Sequence, residues 1–86
     1  MLNFPNQSRS YDAATDRIRF WGHDGALEIT FFLQLNALFR LYPRTSNTEA
    51  GILAAFDAGW SRICEVASKA YARDRRSFYI LGPESI

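Results

Sequence analysis

Few side chains in this chain of 86 residues could do chemistry: one histidine, His23, beside Asp24; one cysteine, Cys64; and four cations, Lys69, Arg73, Arg75 and Arg76, within eight positions. A histidine held by a carboxylate is what a general base requires. Asp24-Gly25, however, is a turn signal, and no nucleophile or second acid lies near it, so the plainer role for His23 is a polar turn residue. One histidine with one cysteine falls short of the three or four protein ligands of a zinc site, and no metal is expected. Asp12 and Asp16 also fall in turn-forming sequence without a defined partner. No catalytic, phosphate or cofactor motif is present, so no catalytic residue and no cofactor is nominated.

Cys64 lies one residue past Ile63 in a helical apolar stripe, where an unpaired cysteine behaves as a small hydrophobe. Its charged neighbours, Arg62 and Glu65, offset each other, which gives no reason for an activated thiolate. Asp57, next to core-facing Phe56, is expected to be a surface charge or an ion pair with Arg62. Lys69, Arg73, Arg75 and Arg76 gather at the end of a predicted helix, where the helix dipole favours cations by about 0.3–1 kcal/mol each. Their functional alternative is an anion or phosphate-backbone contact.

These residues are positioned by elements that can be read from apolar periodicity. Arg17-Ile18-Arg19-Phe20-Trp21 and Leu27-Glu28-Ile29-Thr30-Phe31-Phe32 flank Asp24-Gly25 and read as a hairpin. One face carries Ile18, Phe20, Leu27, Ile29 and Phe31. The other interleaves Arg17, Arg19 and Glu28 with Trp21 and Phe32. A two-residue loop of Asp24 and Gly25 pairs Phe20 with Ile29 and Ile18 with Phe31; a four-residue loop from Gly22 to Gly25 also keeps the faces matched, whereas a three-residue loop mixes them at every rung.

Leu2 to Phe4 could add a short strand before Pro5. Tyr11 could begin another that folds back through Ala13 to Asp16. After the hairpin, Asn36 is positioned to cap a short helix from Ala37 to Tyr42, stopped by Pro43. Ser46-Asn47-Thr48-Glu49 has the form of a capping box. Ile52, Phe56, Trp60, Ile63, Ala67 and Tyr71 then recur every three or four residues, predicting one helix to about Ala72. Glu65 and Lys69 stand at favourable spacing on its polar side. Gly51 and Gly59 each cost that helix about 1 kcal/mol relative to alanine; Gly59 marks either a close approach to a neighbour or a flexible spot. Ser77 to Leu81 reads as a last strand before Gly82-Pro83, with Phe78 and Ile80 facing the helices and Tyr79 and Leu81 extending the outer face.

Strands followed by helices predict a single α+β domain over residues 1–86: a small antiparallel sheet, made of the N-terminal hairpin plus the C-terminal strand, packed on a short and a long helix in two layers. Residues 1–10 and 82–86 are the segments with room for irregular backbone. Ten basic and nine acidic residues give a formal net charge of +1, which excludes a global field directed at nucleic acid or a charged membrane. One cysteine, the absence of an export signal and apolar runs of no more than five residues, far short of a membrane span, make a cytoplasmic setting the expectation.

Leu2-Asn3-Phe4-Pro5, Ser10-Tyr11-Asp12, Arg19-Phe20-Trp21-Gly22, Phe31-Phe32, Ala37-Leu38, Ala55-Phe56-Asp57, Arg62-Ile63 and Tyr71-Ala72-Arg73 together resemble the domain-of-unknown-function 1488 family of short bacterial proteins. Leu33-Gln34-Leu35-Asn36 departs from it as a more apolar entry to the short helix. The resemblance spans nearly the whole chain but rests on apolar and turn residues, so it implies a small stand-alone α+β bacterial protein and supplies no catalytic residue to carry over.

The sharpest functional candidate is therefore the outer hairpin face: Arg17, Arg19, Trp21 and Phe32, with Tyr79. Exposed aromatic surface marks a protein interface, which makes a homodimer or an unidentified protein partner the first expectation for a non-enzymatic interaction module. Burial under the chain's own termini ranks second. A nucleic-acid-binding or regulatory accessory protein using that face and the Lys69, Arg73, Arg75 and Arg76 segment ranks third, because aromatics can stack on unpaired bases while arginines take phosphates.

Overall fold

Alternation of period two sorts the N-terminal half of the chain into strands with one apolar side each. A computed structural model describes residues 2–5 and 8–86. It contains β1 (Leu2–Asn3), β2 (Arg9–Asp12), β3 (Arg17–Asp24) and β4 (Leu27–Gln34), followed by helices α1 (Leu35–Leu41), α2 (Glu49–Ala58) and α3 (Trp60–Arg73), and then β5 (Phe78–Leu81). Within the expected irregular ends, Leu2–Asn3 and Arg9–Ser10 lie in strands, and Pro83–Ser85 forms a 3₁₀ turn. All five strands join one sheet in the order β1-β3-β4-β5, with β2 also pairing with β3.

The hairpin keeps its predicted faces but not its register, and Leu27, at the turn end of the inner face beyond the core, is 63% exposed. Asp24 pairs with Leu27, Phe20 with Phe31, Ile18 with Leu33 and Arg19 with Phe32, so the loop is Gly25-Ala26. Gly25 alone in the turn has positive φ, at 63°, which matches the φ pattern of a type II′ turn with glycine first. That turn chemistry prevails over an Asp24-Gly25 loop. The two registers differ by two residues, which leaves every side chain on its face and makes them indistinguishable by apolar pattern. His23 consequently lies within β3 rather than in the turn.

Three helix boundaries also differ from expectation. Helix α1 begins at Leu35 with Gln34 as its cap residue and no capping side chain, so Asn36 sits inside its first turn. Helix α2 is capped by Thr48, whose Oγ1 accepts from the Gly51 amide at 3.1 Å, instead of by Ser46. The single long helix is divided at Gly59, where φ −94° and ψ 11° depart from helical values. A Cβ at Gly59 would stand 2.8 Å from Tyr42 Cε2 and 3.2 Å from Leu41 Cδ2, so of the two roles open to this glycine the structure selects close approach, to the end of α1. The Ile63 amide still bonds the Gly59 carbonyl at 2.9 Å, and the apolar stripe runs through the bend.

That stripe meets the inner face of the sheet. Ile18, Phe20, Phe31, Leu33, Ile52, Phe56 and Ile63 are buried, and Phe20 stacks on Phe31 and meets Phe56 edge-on, both at 5.3 Å between centroids. Each fully buried side chain of this size is worth about 1.5–3 kcal/mol, which outweighs the helix cost of two glycines.

The two-layer α+β architecture is the expected one, with one change of direction. Strand β5 pairs parallel to β4, with Phe31 beside Tyr79 and Leu33 beside Leu81. Parallel neighbours need a long crossover, and α1 to α3 supply it. This register turns Tyr79 and Leu81 inward and leaves Phe78 (55%) and Ile80 (50%) exposed on the outer face, the reverse of the sequence expectation. Four consecutive apolar residues carry no alternation from which to read the phase. The phase is set by Tyr79, whose ring stacks on Phe31 at 5.2 Å while its hydroxyl accepts from the Arg76 amide at 2.7 Å and donates to the Asp74 carbonyl.

Candidate functional site

The helices pack on one side of the sheet. On the other, odd-numbered residues of β3 and even-numbered residues of β4 and β5 form an outer face that none of the helices covers. The Arg19 guanidinium lies over the Trp21 ring at 4.8 Å from its centroid, two residues along the same strand. Arg17 reaches diagonally across to β4 and lies over Phe32 at 4.1 Å. Stacked cations of this kind contribute about 0.5–1 kcal/mol each and fix the rings in place. Arg17 Nε is buried in its stack without a hydrogen-bond partner among the described residues. Trp21, Phe32 and Arg17 are half-buried, and Arg19 is exposed.

Strand β5 enlarges this face with two residues that sequence reasoning assigned to the core. Phe78 stands next to Thr30 and Ile80 next to Phe32 in the parallel register. The apolar surface thus runs from Trp21 through Phe32 to Ile80 and Phe78. Tyr79, nominated for this face, belongs to the core with 8% exposure.

The remaining candidates do not converge. Adjacent residues of a strand project to opposite faces, so His23 lies on the outer side between Asn3 and Glu28, while Asp24 turns inward and accepts from the Tyr71 hydroxyl at 2.5 Å. The His23–Asp24 dyad is therefore separated by the sheet. Asp12 is occupied locally, accepting from the Ala14 amide at 3.0 Å and the Thr15 hydroxyl at 2.8 Å. Chiefly through the Thr15 bond, its carboxyl is held below the ordinary aspartate pKa. Asp57 pairs with Arg9 of β2 rather than with Arg62, which instead meets Glu65 at 2.7 Å. Cys64 is half-buried, and burial pushes its thiol up to about 11, away from the depressed range of reactive cysteines. Among the described residues no group of three or more His, Cys, Asp or Glu side chains could hold a metal ion.

The four cations of the basic segment are divided. Lys69 and Arg73 line a surface cavity of about 200 Å³ together with Arg62 and Glu84. Arg75 and Arg76 border a separate groove of about 350 Å³ with Tyr71, Leu27 and Glu28. Lys69 lies 3.5 Å from Glu65, Arg76 pairs with Asp74 at 2.7 Å, and Arg75 lies over Tyr71 at 5.3 Å. Each cluster has a carboxylate within it, so the segment does not present a continuous anion-binding surface. A groove of about 460 Å³ lined by Leu41, Tyr42, Pro43, Arg44, Thr45 and Ala55 is apolar and brings no set of polar groups together.

Fold and surface together define a small α+β domain with a helix-covered inner face and a free outer one. The family model for a protein of unknown function, DUF1488, matches residues 2–81, and the chain belongs to that family. No curated protein and no solved structure matches it. No helix among the described residues is long and apolar enough to cross a membrane.

Proposed function

We propose that this protein is a non-enzymatic interaction module of the cytoplasm that recognises a protein surface through the outer face of its sheet. The observation that carries the reading is the continuous patch of Trp21, Phe32, Ile80 and Phe78, with Arg17 and Arg19 laid over its rings. Rigid aromatics with arginines are the side chains that supply most binding energy at protein interfaces, where they lose little freedom on docking. The spatial separation of His23, Asp24, Cys64 and Asp57 supports the absence of a catalytic role.

Nucleic-acid binding is the weaker reading. Bases would have to displace Arg17 and Arg19 from the rings they occupy, and Lys69, Arg75 and Arg76 are already matched with carboxylates or an aromatic ring.

The test is photo-cross-linking in cells from a benzoylphenylalanine placed at Trp21, with the same probe at Lys69 as the control. Discrete adducts from position 21 that are missing from position 69 are expected. Identical adducts at both positions, or none at position 21, would contradict the reading.

A further inference from the structure

We propose that the free edge of β5 pairs with the same edge of a second copy, antiparallel about a two-fold axis at Tyr79, so that two sheets become one. This deepens the outer-face reading by naming one partner, and it rests on that reading for the role of Phe78 and Ile80.

The backbone selects the partner. Strand β5 ends the sheet order and, among the described residues, pairs only with β4. The Thr30 amide bonds the Ser77 carbonyl at 3.0 Å, which sets the phase of the parallel ladder. In such a ladder alternate residues turn both backbone groups toward one neighbour. Ser77, Tyr79 and Leu81 therefore face β4, while the amides and carbonyls of Phe78 and Ile80 point away from the sheet with no partner among the described residues. An edge of this kind is a template for another strand, and natural edges are usually guarded by lysine, proline, a bulge or an inward charge. None of these occurs between Phe78 and Leu81.

The two-residue separation of the unpaired positions makes this edge complementary to itself. With Tyr79 opposite its own copy, Phe78 faces Ile80 of the second copy and Ile80 faces its Phe78. Each pair exchanges two hydrogen bonds, and four bonds satisfy all the free groups of the two edges. Directly opposed residues share a face, so the four exposed apolar side chains form one row across the junction and join the two outer faces. Charge favours the same direction. In this register Arg76 and Arg75, before β5, stand opposite Gly82 and Pro83 of the second copy, next to its Glu84, whereas parallel addition would set arginine against arginine.

Sedimentation velocity from micromolar to near-millimolar concentration, on a Cys64→Ser background, should show a species of twice the 9.8 kDa chain mass. Phe78→Lys or Ile80→Lys should abolish it with unchanged far-UV dichroism, and Trp21→Ser should leave it. Register is tested by disulfide formation. Opposed residues stand about 5.5 Å apart between Cα atoms and can be bridged, whereas like positions lie diagonally beyond that range. A mixture of the Phe78→Cys and Ile80→Cys variants should therefore cross-link faster than either alone. The inference is overturned by a monomer at every concentration, a dimer that survives Ile80→Lys, or cross-linking without preference for the mixture. Photo-adducts from position 80 that contain only a different protein would also overturn it. The result at position 21 is independent, so failure of the dimer is distinguishable from failure of the outer-face reading.

Discussion

The guanidinium of Arg9 closes on Asp57 as a fork, Nε to Oδ1 at 2.9 Å and Nη2 to Oδ2 at 2.8 Å, and so ties a strand at the sheet margin to a helix 48 residues later. Two parallel charge-assisted bonds give such a pair more geometric definition than a single contact. With side-chain exposures of 31% and 38%, solvent still screens it, and the expected worth is about 1 kcal/mol. Arg9→Ala and Asp57→Ala should each lower the unfolding free energy by about that amount, with a double variant well short of additive. Urea denaturation of the four proteins in the cycle checks this.

Gly59→Ala is expected to destabilise, against the sign of helix propensity. Alanine would gain up to about 1 kcal/mol in an unconstrained helix. Here its Cβ would press on the Tyr42 ring at 2.8 Å, and the repacking forced on α1 should turn the net effect to a loss of about 1 kcal/mol. Combining it with Tyr42→Ala, which removes the obstructing ring, should show strong coupling in the denaturation midpoints.

Tyr71 links the end of α3 to Asp24 through its hydroxyl. That hydrogen bond, followed by burial, raises the Tyr71 pKa above the ordinary value near 10. A raised folded-state pKa of an acid means that its contribution is fully present below the unfolded value and disappears as pH climbs through the folded one. Stability should therefore fall on the alkaline side of pH 10 more steeply in the natural protein than in Tyr71→Phe. Thermal midpoints followed from neutral to strongly alkaline pH measure the difference.

Cys64 should alkylate slowly at neutral pH, with a rate that rises about tenfold per pH unit until the thiol titrates near 11. Iodoacetamide labelling followed by mass spectrometry provides the test. Rapid neutral labelling would show an open, activated thiol instead.

How much of this was legible in the residues depended on the kind of signal. Ile18, Phe20, Ile29 and Phe31 alternate with Arg17, Arg19, Glu28 and Thr30, so the inner face of the hairpin could be read at once. Ile52 through Tyr71 gave the helical stripe for the same reason. Registers that differ by two residues preserve that alternation, so the loop could be placed only by the backbone of Gly25. Phe78-Tyr79-Ile80-Leu81 has no alternation at all. Its phase is decided by a parallel pairing and by the Tyr79 hydroxyl, both products of the crossover. The outer face was half visible for this reason: Arg17, Arg19, Trp21 and Phe32 could be found along the hairpin, whereas Phe78 and Ile80 become its neighbours only in space. The Arg9–Asp57 fork was invisible, because nothing local connects two charges so far apart in the chain.

Hydroxyl-radical footprinting of the purified monomer and of the same protein inside cells tests the recognition surface most directly. In the purified monomer, Trp21, Phe32, Phe78 and Ile80 should be oxidised readily, while Phe20, Phe31 and Phe56 remain protected. In cells the first group should become protected and the second should not change. Equal oxidation of Trp21 and Phe32 in both settings would contradict a role for the outer face in recognition.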